Sequence, residues 1–171
     1  DSTVAQLGAL ALPEGKTKTD EYFGEQQVYY HSLTATVPVS RNGASALELN
    51  LYEVATSPDE TGAQVEERQI EVVRAVVQAV SIPVNVKISP FYASVPSFAR
   101  RLERVGAKGL SLFNRFYQPD VSLDELDVDR HLVASTPAEL PLRLHALALL
   151  SPITRLSLAC TGGVHSGLDA A

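Results

Sequence analysis

A chain of 171 residues with 45% apolar and 20% charged residues can bury one real core and is too short for two ordinary domains. A net charge of −6 argues against a nucleic-acid partner, which needs a basic face. No apolar run approaches the roughly 20 residues of a membrane span, and the single cysteine, Cys160, excludes an internal disulfide framework and a cysteine-rich zinc site and predicts a reduced, cytosolic setting.

In chain order, Val4 and Leu7 have the spacing of a helix face, and residues 9–12 (ALAL) predict a short buried strand. Residues 15–36 are polar, with Tyr22, Phe23, Tyr29 and Tyr30 interleaved, and give no assignable element. Residues 37–40 predict a short strand, and Asn42-Gly43 a turn.

From Ala46 the pattern turns regular. Residues 46–52 (ALELNLY) predict a strand. Residues 64–80 place Val65, Ile70, Val73, Val76, Val77 and Val80 on one helix face. In the strand predicted over 82–90, positions 82, 84, 86 and 88 are apolar and alternate with Asn85 and Lys87. A helix over about 94–105 puts Phe98, Leu102 and Val105 on one face and Arg100, Arg101 and Arg104 outside, and Gly106 ends it. Residues 109–114 predict the next strand, followed by an acidic connection over 118–134. Thr136-Pro137-Ala138-Glu139 has a cap, a proline at the first helical position and a glutamate at the third. Leu140, Leu144, Leu147 and Leu150 continue that helix. A strand over 156–160 runs into Gly162-Gly163, and Ser166 with Asp169 predicts another helix start. His131 and His145 read as surface or helix residues, with no carboxylate or metal partner; His165, beside the glycines, reads as a surface residue of a helix start, with approach to a phosphate as the alternative.

Strands alternating with helices predict a parallel α/β sheet, either an open doubly wound sheet or a (β/α)₈ barrel. Both bind ligands at the C-terminal ends of their strands. Those ends carry Asn50, Lys87, Asn114 and Gly162-Gly163. Singly, each has a plain explanation: asparagines that close turns, a lysine snorkelling to water, a tight glycine turn. Together, two amides, an ammonium and an anion nest suit one planar, polar, phosphorylated ligand.

The segments ALELNLY (46–52), PVNVKISP (83–90), LFNRF (112–116) and TGGV (161–164) resemble the strand ends of the dihydroorotate dehydrogenase family of FMN-dependent (β/α)₈ barrels, over about residues 44–171. Asn-Arg-Phe-Tyr-Gln-Pro-Asp at 114–120 resembles one branch of that family. The resemblance implies that Lys87 contacts the flavin ring and stabilises its reduced, negative form. It implies that Asn50 and Asn114 bind a dihydroorotate-like small molecule, and that Thr161, Gly162 and Gly163 hold the FMN phosphate. The implied reaction removes two hydrogens across a C–C bond, one as hydride and one as a proton, as in pyrimidine biosynthesis. Glu53 stands where the family carries its cysteine or serine base.

On this reading residues 1–171 form one FMN-binding, barrel-like domain in which residues 1–43 match poorly. A barrel of this class takes about 250 residues, so an incomplete barrel is expected, with open edges through which the chain either forms a homo-oligomer or is left unstable. Two other functions fit the same residues: a non-catalytic phosphate- or flavin-binding remnant, and an aldolase-type barrel using Lys87 as its Schiff-base amine.

Overall fold

The computed structural model describes residues 5–7, 16–20, 24–28, 39–41, 44–53, 55, 57–115, 118–124, 126–131 and 134–171. Where one domain is expected from the sequence, the chain groups into two compact units, Asp1–Ala44 and Ser45–Ala171.

In the first unit, β1 (Ala5–Leu7) pairs antiparallel with β4 (Val39–Arg41), and β2 (Lys16–Asp20) pairs antiparallel with β3 (Gly24–Val28). Leu7, expected on a helix face, therefore lies in a strand, and Val4 lies outside the described residues. Residues 5–7 are a strand because a distant segment supplies their hydrogen-bond partners, which overrides a local spacing signal. The β2–β3 hairpin escapes sequence reading because its strands, KTKTD and GEQQV, carry no apolar alternation. The strand expected over 9–12 and the turn at Asn42-Gly43 lie outside the described residues.

The second unit alternates as the sequence predicts. Its elements are β5 (Leu47–Asn50), α1 (Gly62–Ala79), β6 (Val84–Ile88), α2 (Val95–Arg104), β7 (Gly109–Leu112), β8 (Gln118–Ser122), β9 (Asp127–His131), a 3-10 turn (Pro137–Glu139), α3 (Leu140–Leu150) and β10 (Ser157–Cys160). β5, β6, β7 and β10 form one sheet in that order, with every pair parallel. This is barrel-type connectivity, but the sheet is not closed: among the described strands, β5 and β10 are its edges. The connection over 118–134, read from the sequence only as acidic, holds the antiparallel hairpin β8–β9.

Local chemistry starts and stops the helices. Thr61 caps α1 reciprocally: its Oγ1 accepts from the Gln64 N–H at 3.3 Å, and Gln64 Oε1 accepts from the Thr61 N–H at 2.8 Å. Ser94 caps α2, and Gly106 ends it with φ +105°, where a side chain is strained. The core lies between the helices and one face of the sheet. Val84, Val86 and Ile88 of β6 and Leu110 and Leu112 of β7 are buried against Ile70, Val73, Phe98, Leu102 and Leu150. Tyr92 stacks on Phe98 with ring centroids 4.1 Å apart.

α3 corrects a register. It is apolar on nearly every side, so its leucines do not say which face goes inward. Leu144 is 49% exposed, whereas Arg143, Ala146 and Leu150 are buried. The inward position of Arg143 follows from its hydrogen bonds, described next.

Candidate functional site at the strand ends

A β-strand sends alternate side chains to opposite faces. In β6 the buried Val84, Val86 and Ile88 face the helices, so Asn85 and Lys87 face the other way. Register then assembles a polar face. Asn50 is opposite Lys87 and Glu48 opposite Asn85, while Lys87 is opposite Ser111 and Asn85 opposite Gly109. Glu48 organises this face. Its Oε2 accepts from Asn85 Nδ2 at 2.8 Å and from Ser111 Oγ at 3.0 Å, and its Oε1 lies 3.5 Å from Lys87 Nζ. Gly109 makes room for the amide: a Cβ there would lie 2.5 Å from Asn85 Oδ1.

The other predicted residues surround this face in different ways. Asn50 ends β5 with an exposed side chain. Asn114 is buried, and its Nδ2 donates to Leu51 O at 2.8 Å and to Lys87 O at 3.4 Å, tying the ends of β5 and β6 together. Thr161 joins the next strand ends: its N–H donates to Leu112 O at 2.7 Å and its Oγ1 to Phe113 O at 2.8 Å. Glu53, in the loop after β5, is engaged by Arg68, whose Nε donates to Glu53 Oε1 at 3.0 Å and whose Nη2 contacts the same oxygen.

Gly162 and Gly163 both take φ +81°. Their N–H groups donate to no other described residue. The space a Cβ would need is occupied by the chain itself. At Gly162 it would meet Arg143 Nη2 at 3.1 Å, and at Gly163 the Leu140 backbone nitrogen at 2.7 Å. The turn therefore rests on the start of α3. Arg143 locks it there: Nε donates to Thr161 O at 2.6 Å, Nη1 to Glu139 O at 2.9 Å and Nη2 to Glu139 Oε2 at 2.8 Å.

The residues after the turn form bends and turns, where the sequence predicts a helix start at Ser166. The capping contacts form nonetheless. Asp169 Oδ2 accepts from the N–H groups of His165 at 2.9 Å and Ser166 at 2.8 Å, and the Asp169 N–H donates to Ser166 Oγ at 3.2 Å. These bonds, His165's first, hold the Asp169 carboxyl below its ordinary value of 3.8. A depressed carboxyl stabilises the turn above that value and ceases to do so as pH falls through the folded pKa. The His165 and Ser166 amide shifts should titrate together with a midpoint below 3.8, and a midpoint above it would contradict the contact.

The arrangement suits FMN in its chemistry. Two backbone N–H groups at positive-φ glycines suit a phosphate, and an ammonium on a polar sheet face suits an electron-rich ring edge. Neither glycine is reserved for a ligand by space alone, because the chain's own atoms fill both Cβ positions. Glu48, Asn85, Ser111 and Arg143 are absent from the residues singled out in the sequence. The first three were legible in principle, since strand alternation puts them on the face of Asn50 and Lys87. Arg143 was not, because its partners are two turn carbonyls and one carboxylate that only the fold brings near. No group of metal-ligating side chains occurs among the described residues, and no described helix is long and apolar enough to cross a membrane.

Residues 1–53 match the family model described as thiol:disulfide interchange protein DsbD, N-terminal. The chain is 37% identical over 103 residues to dihydroorotate dehydrogenase A (fumarate) of Lacticaseibacillus paracasei, covering 58% of this chain and 35% of that protein. It is 46% identical over 37 residues to thiol:disulfide interchange protein DsbD of Photorhabdus laumondii, covering 22% of this chain and 6% of that one. Among solved structures it is similar to dihydroorotate dehydrogenase of Eimeria tenella, crystallised with ferulenol, at 18% identity and a TM-score of 0.43, over 76% of this chain and 42% of that one. The chain thus spans about a third of the curated dihydroorotate dehydrogenase and a small fraction of the curated DsbD. The residues matched to the DsbD model contain no cysteine, so that stretch cannot itself exchange a disulfide.

Proposed function

We propose, from its 37% identity over 103 residues to a dihydroorotate dehydrogenase, that the second unit of the chain is the FMN-binding portion of an oxidoreductase acting across a C–C bond of a dihydroorotate-like substrate. The observation that carries this reading is convergence. Asn50, Lys87 and the N–H groups of Gly162 and Gly163 all stand at the C-terminal edge of one parallel sheet, where such folds place ligands.

When bound, FMN supplies the hydride acceptor. The chain's own residues do the rest. The N–H groups of Gly162 and Gly163 bind the phosphate, and Thr161 and Arg143 fix the turn that presents them. Lys87 brings a positive charge to the ring. Glu48 fixes where that charge sits through its contact at 3.5 Å. Asn50 orients the substrate through its exposed amide. Asn114 acts beneath it by fixing the ends of β5 and β6 rather than through a free amide nitrogen. Glu53 Oε2, the oxygen Arg68 leaves open, takes the substrate proton.

The test is to mix the FMN-loaded chain anaerobically with dihydroorotate. Loss of the visible flavin absorption is expected, together with formation of orotate. A specific observation favours a second reading, a flavin-binding remnant without turnover: the Arg68 guanidinium already engages the proposed base Glu53. Stable FMN binding with no loss of absorption would select that reading. The Schiff-base alternative receives no such support, because Lys87 is an ion-pair partner of Glu48 and a Schiff base needs a neutral amine.

A further inference from the structure

A second charged site lies away from the strand ends, where the last turn of α2 meets the connection from α3 into β10. Arg100, Glu103, Arg104, Ile153 and Arg155 line a cleft of about 410 Å³ there. We propose that this cleft binds a diphosphate group.

The argument rests on charge left without a partner. Arg68, Arg74, Arg101 and Arg143 are each paired with at least one glutamate. The exposed Arg100, Arg104 and Arg155 make no side-chain hydrogen bond or ion pair with any described residue. Arg100 and Arg104 stand four residues apart on α2, a like-charge spacing that costs a few tenths of a kcal/mol on an isolated helix. The only carboxylate in the lining is already engaged: Glu103 Oε2 accepts from Thr154 Oγ1 at 2.8 Å and Oε1 from the Arg155 N–H at 3.3 Å. Those two bonds tie Thr154 and Arg155 to α2 and so hold the three arginines along one cleft. This happens in a chain with 20 acidic against 14 basic residues, where carboxylates are plentiful.

Three planar, permanently charged donors suit an anion with several oxygens on adjacent phosphorus atoms. A single carboxylate carries one charge against the three of the cleft. The site takes the diphosphate as a bound ion, with no bond made or broken, and its argument is independent of the flavin reading.

Isothermal titration of the full chain with inorganic diphosphate, orthophosphate and ADP at matched ionic strength tests it. Saturable diphosphate binding at one site is expected, at least about tenfold tighter than orthophosphate, since a second bidentate contact is worth roughly that factor. The triple variant R100A/R104A/R155A should lose the binding. Because all three side chains are exposed, its circular dichroism should match the parent's. Gly163→Ala, titrated at a temperature where its circular dichroism shows it folded, should still bind diphosphate, which separates this site from the glycine turn. ADP binding as tightly as inorganic diphosphate makes a nucleoside diphosphate the source, and weaker ADP binding makes it the free ion. No saturable binding, or binding unchanged in the triple variant, would overturn the proposal.

Discussion

Gly163→Ala is expected to destabilise the second unit by about 3 kcal/mol, lowering the melting temperature by roughly 10 °C. Two causes add. The backbone sits at φ +81°, where a Cβ is strained, and that Cβ would lie 2.7 Å from the Leu140 nitrogen and 2.9 Å from its Cα. Backbone atoms at the start of α3 cannot step aside as a side chain can. Gly162 shares the same φ, but its Cβ would meet side-chain atoms, the Arg143 guanidinium at 3.1 Å and Ser135 Cβ at 3.2 Å, which is less severe than a backbone contact at 2.7 Å. Gly162→Ala should therefore cost clearly less than Gly163→Ala. Thermal denaturation of the pair decides it, and equal costs would show that strain in φ alone governs the turn.

Arg143→Met should cost a similar amount, about 3 kcal/mol. The side chain is buried and makes three hydrogen bonds, to Thr161 O, Glu139 O and Glu139 Oε2. Methionine fills much of the volume but removes all three hydrogen bonds. Arg143→Lys should recover only some of the loss, because one ammonium cannot span three acceptors as the guanidinium fork does. Denaturant unfolding of the two variants measures this. A lysine variant as stable as the parent would show that charge, not geometry, is what α3 needs. Both substitutions act on the turn that presents Gly162 and Gly163, so both should also weaken FMN binding in the folded protein.

These two sites show what the sequence could and could not reveal. The alternation from β5 to β10 was legible because period-2 strands and amphipathic helices announce themselves, as in Val84, Val86 and Ile88 against Phe98 and Leu102. The closing turns were legible too, since Gly106 and Gly163 stand where a positive φ is required. The inward face of α3 was not, because leucines on every side leave its register to Arg143. The β2–β3 and β8–β9 hairpins were missed because polar strands carry no periodic signal. In the candidate site, Asn50 and Lys87 could be read from their strand ends. The roles of Asn114 and Glu48 depended on register: one turns inward to hold Leu51 and Lys87 carbonyls, and the other organises Asn85, Ser111 and Lys87.

Whether the strand ends of the second unit hold FMN, as proposed, is decided by a flavin fluorescence titration. Adding the chain to FMN should quench and polarise the emission to saturation at one flavin per chain. Lys87→Ala should weaken binding about tenfold, the loss of roughly one charge-assisted contact, and Gly163→Ala should weaken it further. Circular dichroism of each variant confirms that it is folded at the titration temperature. A folded parent chain that leaves FMN emission unchanged, or Lys87→Ala and Gly163→Ala variants that bind as the parent does, would contradict the account.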